Sequence, residues 1–404
     1  MELLKLLAVF AVIVIVLRLK KPLFMSMIAG TIAAAFLFSM DIRAFFSTLW
    51  KSSTSWNTIS ILLVFYLISF LQRMLEKRGS LDLAQQSLDR LFNNNRRITA
   101  SLAPFFLGLL PSASVVLLCG DIVQRSVGDD LSTEEKAFVT SFYRHIPESF
   151  LPTFSAIILA ISLTQGAVTI GSFILGMFPM VIALATLGYV FYLRRIPKDA
   201  RASSSGDKLG NFLNLCKGIW PIALIIALIL ALGIPVYAAA AISIVLFGVA
   251  GKFTIAELKP FLQSAFEKNL LISTFVIMLF KDVLSETGVI SALPELFAKL
   301  PFPEFIIFAL IFFFGTVISG SQAIAAIGIP LVYMSMPEAG LPMFILLMGT
   351  AFAANQLTPT HVCLPITAEY FHISLGALVR KSIPVVLSFC AILLGYYFLL
   401  VALL

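Results

Sequence analysis

Long apolar blocks that do not alternate with polar residues limit what this chain can fold into. The first, Leu3 to Leu17, and the similar blocks that follow are too long for strands or ordinary core helices. Lipid offers the backbone no hydrogen-bond partners, so each block must be a helix, a re-entrant element shielded by protein, or part of a closed barrel. Barrel strands alternate in polarity and these blocks do not. The chain reads as an all-α polytopic membrane protein, and 60% hydrophobic against 12% charged residues agrees with that class.

Leu3 to Leu17 follows Glu2, lacks an Ala-x-Ala cleavage site and runs into Arg18, Lys20 and Lys21, so it is expected to be a span and not a secretion signal. If it runs from outside to inside, Arg73, Lys77, Arg78, Arg194, Arg195, Arg380 and Lys381 share the cytoplasmic side with that cluster. The other side keeps Lys5, Arg43, Lys51, Lys281 and Lys299. Both termini are then external. The net charge of +7 reports this asymmetry and calls for no nucleic-acid partner. Cys119, Cys216, Cys363 and Cys390 are scattered, with no CxxC or Cys/His spacing, so neither a disulfide framework nor a zinc site is expected.

A polar linker, residues 194–217, divides the chain into halves 1–193 and 218–404. Setting Gly79 on Gly288 also aligns Leu75 with Leu284 and Leu91 with Leu300. Pro-Ser-Ala-Ser at 111–114 then falls near Ser-Gly-Ser-Gln at 319–322, and Leu-Pro-Thr at 151–153 near Thr-Pro-Thr at 358–360. Each half is expected to hold a re-entrant hairpin, at 98–125 and 302–336, and a broken helix, at 138–163 and 342–367. The first hairpin's arms fall short of the roughly 20 residues a crossing needs. With five crossings per half, about ten in all, the two repeats are inverted and their hairpin tips approach each other near mid-membrane. Arg43 to Lys51, Ser80 to Phe92, Thr254 to Lys268 and Val289 to Leu300 read as amphipathic interfacial helices.

Polar residues concentrate at four places. The hairpin tips carry Ser112, Ser114, Ser319, Ser321 and Gln322 beside free backbone groups that suit an anion or a cation. The same small residues also serve tight helix packing. The broken helices contain Pro147 and Pro152 in one half and Pro359 and Pro365 in the other, with Thr153, Asn355, Thr358 and Thr360 around the breaks. Intramembrane Arg144, His145, Glu148 and His361 are functional candidates because ionisable groups are costly there. Substrate binding is assigned to Ser112, Ser114, Ser319, Ser321, Gln322, Asn355, Thr358, Thr360, Arg144 and His361. Ion coupling is assigned to Ser112, Thr153, Ser321, Thr360, His145 and Glu148. Arg144 offers a bidentate partner to a carboxylate, or pairs with Glu148 to anchor its helix. Lys281 with Asp282, near Glu286, reads as a compensated interfacial pair.

The strings FFLGLLPSASVVL, FYRHIPESFLP and NQLTPTHVCLPITAEYF resemble a prokaryotic branch, of unknown function, of the ion transporter superfamily. The superfamily includes divalent anion/sodium symporters, and the resemblance spans nearly the whole chain. It implies a homodimer, a scaffold of early spans, and a transport domain of hairpins and broken helices that moves as an elevator. Substrate would sit between the hairpin tips. Where the symporters carry Ser-Asn-Thr at each tip, this chain has Pro-Ser-Ala-Ser and Ser-Gly-Ser-Gln, so proton coupling through Glu148 and the histidines competes with sodium. The expectation is a secondary transporter of a di- or tricarboxylate-like anion, with sodium or protons as coupling ion and no other cofactor; the alternative is a cation/proton antiporter. HExxH, GxSxG and paired-aspartate motifs are absent, so an enzyme is not expected.

Overall fold

The computed structural model describes residues 2–19, 21–92, 95–109, 115–197, 207–288, 302–336, 338–358 and 361–404, which form helices joined by turns, with no strand among them. The first half contributes α1 (Glu2–Arg18), α2 (Leu23–Leu37), α3 (Ile42–Thr54), α4 (Trp56–Lys77), α5 (Ser80–Phe92), α6 (Arg96–Leu107), α7 (Val115–Val127), α8 (Thr133–His145), α9 (Ser155–Ser162) and α10 (Ile170–Phe191). The second contributes α11 (Lys208–Leu232), α12 (Val236–Ala250), α13 (Ile255–Ser264), α14 (Lys268–Glu286), α15 (Glu304–Ser319), α16 (Ser321–Ser335), α17 (Leu341–Asn355), α18 (Cys363–Tyr370) and α19 (Leu375–Leu403).

The element order of the second half follows that of the first, and local signals repeat with it. α2 and α12 are each 15 residues long and start after a proline, Pro22 and Pro235. Left-handed residues recur at matching places: Ser39 and Lys252 after these helices, Gly79 and Gly288 after α4 and α14, Gln165 and His372 after α9 and α18. The amphipathic α3 and α13 begin at side-chain caps, Asp41 and Thr254. Arg78, at the end of α4, forks onto Glu257 of α13 at 2.8 and 3.1 Å and holds that carboxyl down to about 2. The expected helix at Val289 to Leu300 lies outside the described residues, as do residues 198–206 of the linker.

Against about ten expected crossings, four described helices reach bilayer length and hydropathy unaided: α4, α10, α11 and α19. The apolar α2, α12, α15, α16 and α17 have 10–17 residues. At 1.5 Å per residue a helix of that size stops short of a roughly 30 Å hydrocarbon core. Turn and cap residues end these helices earlier than the hydropathy blocks suggest.

Packing gathers most of the helices into two groups, which join where α5 lies on α6. α2 lies on α14, α4 on α12 and α5 on α11. Separately, α6 and α7 pack on each other and on α8, α15 packs on α16 and α17, α9 on α16, and α8 and α17 on α19. The centre of the second group is apolar all round. Ala323 to Tyr333 of α16 and Met343 to Ala354 of α17 are buried without exception, which marks core helices and not lipid-facing ones.

Candidate functional site

Two helices stop inside this second group. α8 starts at a full capping box, Ser132 with Glu135, and Glu135 also receives Arg195 at 2.9 Å and Lys381 at 3.2 Å. At the far end Pro147 has no N–H to continue the ladder, and the chain tightens into a 3-10 turn, Ile146–Ser149. It resumes as a helix only at Ser155, with no side-chain cap. α17 likewise ends at Asn355, and α18 begins at Cys363.

The two breaks meet. Nε2 of His145 lies 3.0 Å from Nε2 of His361, with the rings edge to face. Nδ1 of His145 is 2.5 Å from the carbonyl oxygen of Ser141, which can only accept, so that nitrogen carries the proton. Nε2 of His145 is then a lone pair, and His361 donates to it. Glu148 lies 3.8 Å from both histidines and accepts an ion pair from Arg144. Arg144 is 2% exposed and Glu148 16%. The guanidinium expected to meet a substrate carboxylate is thus spent on Glu148, and Arg144 does not line the adjoining cavity.

α15 and α16 supply the other wall. They turn at Gly320, with φ 86° and ψ 159°, a conformation that is essentially closed to residues with a Cβ. α16 starts there without a side-chain cap, and Asn355 donates to the hydroxyl of Ser321 at 3.1 Å. Ser319 to Ala323, Ser155 to Ile157, Asn355, Glu148, His361 and Cys363 border a cavity of about 520 Å³, lined on its apolar side by Leu17, Leu23, Met348 and Phe352.

Of the remaining candidates, Ser319 and Gln322 also border this cavity, whereas Thr153 and Thr358 do not. Ser319 donates to the carbonyl of Gly315 at 2.7 Å. The hydroxyl of Thr358 donates to the carbonyl of Val317 at 2.8 Å and pins the second break to α15, away from the cavity. The Thr153 hydroxyl and the Gln322 amide nitrogen are buried without a hydrogen-bond partner among the described residues. Ser112, Ser114 and Thr360 lie outside the described residues. Cys363 is a wall residue not among the assigned site residues; its position two residues after His361, where the helix resumes, was the available signal. Lys281 pairs with Asp282 at 3.0 Å as expected, beside a separate cleft bordered by Arg43, Lys51 and Glu286.

Residues 3–401 match a family described as a protein of unknown function, DUF401. No curated protein matches the chain. Among solved structures, the YdaH transporter of Alcanivorax borkumensis, described as having an unusual topology, aligns with a TM-score of 0.63 at 15% identity, over 89% of this chain and 89% of that one. Neisseria gonorrhoeae MtrF, described as illuminating a class of antimetabolite efflux pumps, aligns with a TM-score of 0.56 at 16% identity, over 89% of this chain and 84% of that one. At these identities the likeness is one of fold.

Proposed function

The chain belongs to the DUF401 family, and from the site its fold assembles we propose a secondary active transporter of a small organic anion of the di- or tricarboxylate kind, coupled to protons or sodium. One observation carries this reading. Two helix starts without side-chain caps, at Ser155 and Ser321, border the same cavity of about 520 Å³. Free amides at the positive end of a helix dipole favour an anion, and junctions of broken helices are where carriers hold substrate. The volume suits a small molecule.

Glu148 supplies a route for coupling. Glu148 lines the cavity beside the place an anion would take and is the carboxylate there that a coupling proton could reach. The histidine pair extends the path a proton can take. The two packing groups fit a scaffold and a moving domain, the recurring left-handed residues support an internal repeat, and an odd number of crossings per half would make that repeat inverted. The solved relatives of this fold are described as transporters, which favours the same role here. Placement in the ion transporter superfamily, a homodimer, external termini and a prokaryotic inner membrane complete the proposal.

Purified protein in liposomes, given labelled di- and tricarboxylates under a sodium or a pH gradient, tests it. Gradient-driven uptake of one anion class is expected. Ser321→Ala and Asn355→Ala should each lower it about tenfold, the effect of losing a hydrogen bond to a charged group. Uptake untouched by both substitutions would move the site elsewhere. Cation-driven proton flux with no anion uptake would favour the antiporter, the reading that Glu148 and the two histidines would then carry.

A further inference from the structure

The imidazoles of His145 and His361 and the thiol of Cys363 place their ligand atoms within 4.8 Å of one another, and Glu148 lies 3.8 Å from both imidazoles. We propose that these four side chains form a binding site for a soft divalent transition-metal ion of the zinc class. The site shares its cavity with the helix starts at Ser155 and Ser321 but uses other residues, and it does not depend on the transport reading.

The donor set fits the ion. Zinc takes four ligands tetrahedrally from imidazole, thiolate and carboxylate, with nitrogens at 2.0–2.1 Å and sulfur at 2.3 Å. Closing the present separations to those lengths needs side-chain movements of about an ångström. His145 is already oriented for it. Its Nδ1 proton is fixed on the Ser141 carbonyl, the outer-sphere arrangement that aims the Nε2 lone pair into the cluster, where the ion would replace the proton His361 now donates. Glu148 gives one oxygen to Arg144, and its other oxygen is the one nearer His361. Charge also balances. Arg144 offsets Glu148, so once Cys363 releases its proton the site carries one net negative charge before the ion arrives. Glu148, His361 and Cys363 line the cavity, which gives an ion its path, while His145 is fully buried behind them.

The full-length protein, purified in detergent and stripped with a chelator, is titrated with Zn²⁺ alone by calorimetry and with Co²⁺ by absorption. One equivalent per chain is expected, with a thiolate-to-cobalt charge-transfer band and tetrahedral d–d bands. Cys363→Ser should abolish the charge-transfer band, whereas Cys390→Ser should keep it. His361→Asn should weaken Zn²⁺ binding by more than about tenfold, the lower end of what losing even an outer-sphere partner costs. If His361→Asn fails to fold, the near-isosteric Cys363→Ser decides alone. The proposal falls if the folded protein shows no saturable one-to-one binding, or if Cys363→Ser binds both ions with unchanged affinity and spectrum.

Discussion

Glu148→Gln should destabilise the protein by about 3–5 kcal/mol, because it leaves the guanidinium of Arg144 buried without its carboxylate. Arg144 is 2% exposed, so water cannot replace what Glu148 provides. Arg144→Gln should be similarly harmful, since Glu148 would keep its charge beside two histidines and lose its counter-ion. The double variant Arg144→Met with Glu148→Leu should recover most of the loss, because removing a buried pair together is far milder than breaking it. Thermal and denaturant unfolding in detergent measure all three. A Glu148→Gln protein as stable as the parent would mean that the pair is solvated and merely anchors its helix.

A single added methyl at Gly108 should cost about 1–3 kcal/mol. α6 ends there, and a Cβ would stand 2.0 Å from the carbonyl oxygen of Arg144. The obstruction is backbone, so no side-chain rotation relieves it; the end of α6 and the last turn of α8 must part. That turn carries Arg144 and His145, and anion uptake should fall together with stability. Gly395→Ala in α19 is the control, since nothing lies within 4 Å of its Cβ position. There the change should be neutral or slightly stabilising through helix propensity. Equal melting temperatures for the two variants would show that α6 and α8 do not depend on close approach.

Residues whose effect is local were legible in the sequence. Pro147 marks the end of α8, Gly320 the turn between α15 and α16, and the apolar blocks the helices themselves. Periodicity could not say where those helices stop, because turns and caps at residues such as Ser39 and Gly233 end them inside or beside the hydropathy blocks. The site's chemistry was legible as a list and not as an arrangement. His145 and His361 are 216 residues apart, and only the packing of α8, α18 and α19 brings their nitrogens to 3.0 Å. The same holds for orientation. Thr358 resembles a ligand in sequence, yet its hydroxyl is taken by the Val317 carbonyl, and Arg144 resembles an anion clamp, yet its partner is one turn away on its own chain.

The central claim, that a small organic anion binds between the helix starts at Ser155 and Ser321, is tested most directly by thermal stability of the purified protein. The panel is di- and tricarboxylates, inorganic oxyanions and neutral controls, in sodium and in potassium, at two pH values. A ligand at a hundred times its dissociation constant stabilises the state it binds by about 2.7 kcal/mol. Binding there predicts a saturable rise in melting temperature with one class of carboxylate, cut by about half at the same ligand concentration in Ser321→Ala and Asn355→Ala, since a tenfold loss of affinity removes about 1.4 kcal/mol. It is contradicted if no anion shifts the melt under any condition, or if the shift is the same in both variants.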